Sequence, residues 1–233
     1  MTFTSLASSS RGNAYVVSDG ETTLLLECGL SFRELQKRLG YGVADITACL
    51  VSHEHQDHAK AAAQLLKSGV PVYMSEGTAA AHKDAMDAAN LIKAGDVLRF
   101  GHLTVVPFRT YHNVEEPLGF LIEDGRTKER LLWAVDTANL GVTADRLTYI
   151  AVECNYEESL LDRSDRIPSV LKERIRHSHF EVNDVIKWLH KQDLSGVLTI
   201  WLLHLSAGNS RAEQWQVRFE REFPGITVKI CPE

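Results

Sequence analysis

The rhythm of hydrophobic and polar positions changes along this chain, and it predicts short strands first, then strands alternating with helices. Segments 3–6, 14–17, 23–27 and 48–51 read as β, with Gly12-Asn13 and Asp19-Gly20 supplying turns between the first three. Segment 59–67 is rich in helix formers and Gly69 stops it. Segment 70–74 reads as a strand, Ser75 caps an Ala-rich helix running toward Asn90, and Gly95-Asp96 turns into further β structure. The apolar runs 103–109, 118–122, 131–135, 149–152 and 197–203 then end near His112, Glu123, Asp136, Glu153 and His204. Helices are predicted at 170–175, 182–191 and 211–223, the last with Trp215, Phe219 and Phe223 at i, i+4 and i+8, before a closing strand at 226–230. Strands delivering polar residues to one edge, with helices between, predict a layered α/β architecture.

Composition narrows this only a little. At 233 residues and 44% hydrophobic content the chain supports one sizeable core, so a single domain over 1–233 is expected. The net charge of -6 argues against a broadly basic nucleic-acid surface, although a local groove or bound metals would still hold phosphate. Cys28, Cys49, Cys154 and Cys231 form no C-x-x-C pair, which fits reduced thiols in a cytoplasm. The N-terminus lacks a basic and an apolar region, and no apolar stretch approaches the roughly 20 residues that span a bilayer, so neither secretion nor a membrane partner is expected.

The chemistry concentrates in one place. His53, His55, Asp57 and His58 follow an apolar run directly, and a loop holding three imidazoles and a carboxylate has no packing motive. His53 and His55 alternate, while Asp57 and His58 present ligands from the other side, so two divalent ions rather than one are suggested. Taken alone, His112 and His204 read as surface or satisfied histidines and Asp136 as a turn or cap residue; His82, His102 and His190 have no partner pattern and read as surface.

The H-x-H-x-D-H signature and the ordered His112, Asp136 and His204 resemble the metallo-β-lactamase-fold superfamily. The Ser-rich segment 5–13, the stretch Tyr111 to Phe120, Glu153-Cys154-Asn155-Tyr156 and His204-Leu205-Ser206 resemble one subgroup of it: the small bacterial and phage exonuclease-like phosphodiesterases related to tRNA 3′-processing endonucleases. Glu27-Cys28-Gly29 stands where Asp-x-Gly is commoner in that family. The resemblance implies a four-layer αββα sandwich. It also implies two ions, zinc or manganese, held by His53, His55 and His112 and by Asp57, His58 and His204, with Asp136 bridging.

Such a centre activates water and neutralises phosphoryl charge, which makes phosphodiester hydrolysis the expected reaction and DNA the expected substrate. His179 lies where the related nucleases place a His that acts on phosphate or leaving group, with His177 as a close rival; Glu153 would orient His179 and keep it protonated. Asp57, His179 and Glu153 are thus the candidate catalytic residues. Ser9 and Asn13 in the Ser-rich turn, and Arg176 in a basic helical run, are the candidate phosphate contacts; a plain turn and a solvated helix face are the alternatives. Cyclic nucleotides or other small phosphoesters form the alternative substrate class, and lactones or thioesters a second. A non-catalytic metal-binding module is the third reading, which the complete ligand set counts against. Asp136 and His204 are too close in sequence to hold the extra domain of larger nucleases. Apolar surface in the second half would favour a homodimer.

Overall fold

The computed structural model describes residues 1–231, in two compact units: Met1–Arg109 with Val114–Glu129, and Thr110–Asn113 with Arg130–Cys231. In the first, β1 (Thr2–Ser9), β2 (Gly12–Ser18) and β3 (Thr23–Leu26) form an antiparallel meander. Helix α1 (Phe32–Arg38) follows, capped by the Ser31 hydroxyl, which accepts from the Glu34 amide. From there the sheet continues in parallel through β4 (Ala48–Leu50), β5 (Val72–Met74) and β6 (Asn90–Leu91). Buried Leu25, Leu35, Cys49, Val51, Leu65, Val72 and Met74 share one core cluster on this sheet.

Two predicted helices of this unit are broken. The helix expected at 59–67 starts earlier, as α2 (Gln56–Ala59), and resumes as α3 (Ala62–Lys67). The interruption has a cause: the His58 carbonyl accepts from the Cys28 amide at 2.7 Å, and the Ala61 amide donates to the Cys28 carbonyl at 2.9 Å. The Ala-rich helix expected up to Asn90 stops as α4 (Glu76–Ala81), then restarts as α5 (Lys83–Met86). His82 between them leaves helical geometry and donates from Nε2 to the Glu54 carbonyl at 2.7 Å, so it is half-buried and not the surface residue the sequence suggested. An antiparallel meander of β7 (Leu98–Phe100), β8 (Leu103–Arg109) and β9 (Leu118–Asp124) completes the unit.

In the second unit, β10 (Arg130–Ala134), β11 (Tyr149–Glu153), β12 (Thr199–Leu203) and β13 (Thr227–Ile230) run parallel in chain order. Residues 131–135 are all buried, as the unbroken apolar run requires of a strand covered on both faces. The connections carry α6 (Glu158–Arg163), α7 (Ser169–Ser178), α8 (Val182–Leu189) and α9 (Ala212–Glu222). Glu181 caps α8, its carboxylate accepting from the Asn183 and Asp184 amides, and buried Trp215 and Phe219 anchor α9. Asp136, Glu153 and His204 all lie at the C-terminal ends of these parallel strands, where open α/β sheets carry their sites. Among the described residues, no helix is long and apolar enough to cross a membrane.

Candidate metal centre

The first unit offers four ligand-type side chains from the loop after β4. His53 and His55 leave the strand, and Asp57 and His58 sit on the single turn of α2. His53 Nδ1 lies 2.8 Å from Ser52 Oγ, and its Nε2 comes to 3.0 Å from His55 Nδ1. The rings of His53 and His58 are 4.1 Å apart between centroids. On His58, Nδ1 faces the Glu27 carboxylate at 3.4 Å, whereas Nε2 is 3.5 Å from an Asp57 oxygen. A carboxylate on one ring nitrogen fixes the tautomer and leaves the other with a lone pair for a metal. Glu27 is fully buried and also accepts from the Ser52 amide at 3.0 Å; burial raises its pKa, against the pull of His58 and Ser52. The longer Glu in place of Asp therefore reaches both the strand exit and the helix turn.

Asn13 and Ser9, the expected phosphate contacts, are buried instead. The Asn13 amide donates to the carbonyls of Ser9 at 3.1 Å and Asp57 at 3.2 Å, and lies 3.2 Å from His58 Nε2. Its Oδ1 accepts from the Tyr15 hydroxyl at 3.0 Å, and that hydroxyl meets Ser8 Oγ at 2.7 Å. Ser9 Oγ accepts from the Arg11 amide at 3.3 Å. Asn13 thus holds the ligand loop. Gly29 does so as well: a Cβ there would stand 1.6 Å from the Asp57 carbonyl oxygen.

In the second unit, His112 donates from Nδ1 to the Ser178 carbonyl at 2.7 Å, because a carbonyl can only accept. Its Nε2, 3.7 Å from Asp136, is left unprotonated, and burial lowers its pKa in spite of that carboxylate. A neutral imidazole with its outer proton already engaged is what a metal requires. Asp136, Glu153, His179 and His204 each bring one ligand atom within 4.8 Å of the others. His204 Nδ1 is 2.6 Å from Asp136 and 3.3 Å from Glu153. Burial disfavours charge on His204, but the two carboxylates outweigh it and push the pKa up to about 10. Two buried carboxylates favour positive charge here, whether on the imidazoles or on a bound cation, and the donor set fits a metal ion.

Glu153 is the hub of this cluster. Its Oε1 meets His179 Nδ1 at 2.6 Å, and its Oε2 accepts from the amides of Thr137 at 2.7 Å and Phe180 at 3.3 Å. Burial opposes charge on both partners, yet each stabilises the other, so the His179 pKa is raised and that of Glu153 lowered. His177 is exposed and 3.9 Å from Glu173, which separates it from its rival. Arg176 is engaged elsewhere: its guanidinium meets Glu158, Asp162 and Glu173 at 2.5–2.6 Å. A phosphate there would have to displace three carboxylates. Of the supports, Glu27 and Asn155 lie in family-like motifs that assign them no role, and Thr137 lies in none; Asn155 donates to the His204 carbonyl at 2.8 Å.

This fold and these His/Asp clusters, able to bind metal ions, define a class. The chain belongs to the metallo-β-lactamase-fold superfamily: the model of the Beta-lactamase superfamily domain matches residues 22–200. Among relatives, it is 30% identical to exodeoxyribonuclease YycJ of Bacillus anthracis, over 91% of this chain and 84% of that protein. The solved metallo-β-lactamase fold protein YhfI of Bacillus subtilis is similar at 17% identity and a TM-score of 0.73, over 99% of this chain and 96% of the other. Human tRNase Z, short form, is similar at 15% identity and a TM-score of 0.66, over 100% and 97% of the two chains. The structural likenesses show the fold, the αββα arrangement expected from the sequence.

Proposed function

We propose that this chain is a single-domain, dinuclear metal-dependent phosphodiesterase, residues 1–233, acting as a DNA exonuclease in the cytoplasm. The reading rests on the pair of half-buried His179 and buried Glu153 at 2.6 Å beside Asp136 and His204, and is supported by the near full-length likeness to an exodeoxyribonuclease. The family pattern assigns His53, His55 and His112 to one ion, zinc or manganese, and Asp57, His58 and His204 to the other, with Asp136 shared. Two such ions, when bound, lower the pKa of coordinated water and offset charge on phosphoryl oxygens. The protein's own part follows from its contacts. Glu153 keeps the imidazolium of His179 charged and oriented from Nδ1, so that Nε2 can hydrogen-bond the phosphate or protonate the leaving oxygen. A lactone or thioester has no anionic phosphoryl group to answer that charge.

One observation favours a short substrate footprint as a second reading. Arg176, the basic group expected on a nucleic-acid backbone, is neutralised by three carboxylates, which suits a terminal nucleotide or small phosphoester. The test is one panel: metal-loaded protein, Asp57→Ala and His179→Ala against 5′-phosphorylated single- and double-stranded DNA, RNA, cyclic nucleotides, and lactone and thioester controls. Nucleotide release from DNA is expected, with Asp57→Ala losing metal and His179→Ala keeping metal but losing about 10²–10⁴ in turnover. Turnover of the lactone or thioester alone would overturn the reading.

A further inference from the structure

Tyr111, immediately before His112, is 53% exposed. Among the described residues of its unit the exposed large hydrophobics are Tyr111, Val170, Leu171, Leu198 and Val217, and Tyr111 alone carries an aromatic ring. An isolated exposed apolar residue needs no explanation. What sets this one apart is how firmly it is held, and to what.

The Tyr111 amide donates to Thr137 Oγ1 at 3.0 Å, and its carbonyl accepts from the Ala138 amide at 2.7 Å. Thr137 is the residue whose own amide donates to Glu153, the partner of His179. The main chain of Tyr111 is therefore tied to the same frame as the candidate acid pair. Its ring edge lies beside Gly141. A Cβ on Gly141 would lie 3.2 Å from the phenolic oxygen and 3.7 and 3.9 Å from the adjoining ring carbons, so the glycine leaves the space that the ring edge uses. An aromatic ring that is open to solvent, on a main chain held beside a ligand-type His, offers a face to a flat partner and has few rotatable bonds to order on binding it.

We propose that Tyr111 is a stacking platform for the nucleobase next to the scissile phosphodiester, an inference that rests on the nuclease reading above. Every base offers a π-face, so such contact is tolerant of sequence, as an exonuclease working along a strand requires. Stacking also supplies affinity without cations, which matters where Arg176 is already paired with acids.

The test uses the metal-loaded full chain and 5′-phosphorylated oligodeoxynucleotides that carry one abasic site, moved stepwise from the end. Tyr111→Ala should lower kcat/KM on intact DNA about 5- to 150-fold, mainly through KM, with Tyr111→Phe close to wild type. Wild type should show a loss of similar size at one abasic position, to which Tyr111→Ala is indifferent. If Tyr111→Ala keeps the wild-type response to that position, or matches wild type on intact DNA, the stacking role is refuted while the nuclease reading stands. If wild type cleaves no oligonucleotide but turns over a lactone or thioester, both fall together.

Discussion

Gly29→Ala should strip the centre of metal through one methyl group. Gly29 follows β3 and its amide donates to the Asn13 carbonyl at 2.9 Å. The added carbon would stand 1.6 Å from the Asp57 carbonyl oxygen, 2.1 Å from its carbon and 2.7 Å from the His58 amide, where ordinary contact begins near 3.4 Å. The turn that carries Asp57 and His58 must therefore retreat by about 1.8 Å, the gap between those two distances. Metal–ligand distances tolerate only about 0.2 Å, so the retreat exceeds the tolerance several-fold. Overpacking of this kind costs about 1–3 kcal/mol, and at this chain length each kcal/mol moves Tm by about 2–4 °C. The assay is metal stoichiometry and chelator competition, with circular dichroism and Tm on the same samples. Gly20→Ala is the control: Gly20 has φ +92° but nothing within 4 Å, so it should lose some stability and no metal. Gly29→Ala binding metal with wild-type affinity would refute the idea that the exit of β3 fixes the ligand turn.

Two further outcomes follow from the first unit. Tyr15→Phe deletes the hydroxyl that bonds Asn13 Oδ1 at 3.0 Å and Ser8 Oγ at 2.7 Å inside a fully buried network. A loss of about 1–3 kcal/mol and weaker metal binding are expected, read by Tm and chelator competition; unchanged values for both would show that Asn13 needs no support. Asp19 accepts from the Glu21 and Thr22 amides at 2.9 and 2.7 Å and pairs with Arg126; burial opposes its charge, but these contacts win and depress its pKa. A depressed carboxylate contributes stability present above its unfolded pKa, near 3.9, and lost as pH falls through the folded value. The Tm gap between wild type and Asp19→Ala should therefore be full at pH 7 and shrink below about pH 4; a gap unchanged down to pH 2.5 would remove Asp19 from the acid limb.

What the sequence made legible was the ligand series and not its scaffolding. His53, His55, Asp57 and His58 stand out because nothing apolar explains them, whereas Asp136 and His204, each after an apolar run that forms a buried strand, gain meaning only from their order in the family series. Their supports depend on distant pairs: Glu27 meets Ser52 and His58, Asn13 meets Asp57, and Thr137 meets Glu153. No local periodicity encodes such contacts. The same reason explains the interrupted helix after His58, since helix propensity across 59–67 is good and only the bonds to Cys28 divert the ladder. No periodicity marks the short helices α1 and α6, because six or seven residues carry too little of it and gain their stability from packing.

Backbone conformation separates the candidate site from ordinary turns. Among the described residues, six non-glycine residues have positive φ: Glu27, Tyr41, Lys128, Asp136, Arg146 and His204. Tyr41, Lys128 and Arg146 are exposed, where a left-handed residue closes a turn and water satisfies what the chain does not. Glu27, Asp136 and His204 are buried, and each comes within two residues of the end of a parallel strand. A left-handed L-residue costs roughly 1–2 kcal/mol, and glycine would relieve it. Glycine is absent at all three because the side chain is what the position is for: a carboxylate on His58, a carboxylate beside His112, and an imidazole between two acids. The left-handed residue at the strand end breaks the alternation of side chains between the two faces of the sheet. Neighbours then hold the strained residue: Leu50 accepts from the Glu27 amide, Thr137 is bonded to Glu153, and Asn155 donates to the His204 carbonyl. Strain that persists under such over-determination is characteristic of functional sites, which agrees with the candidate roles of these three residues.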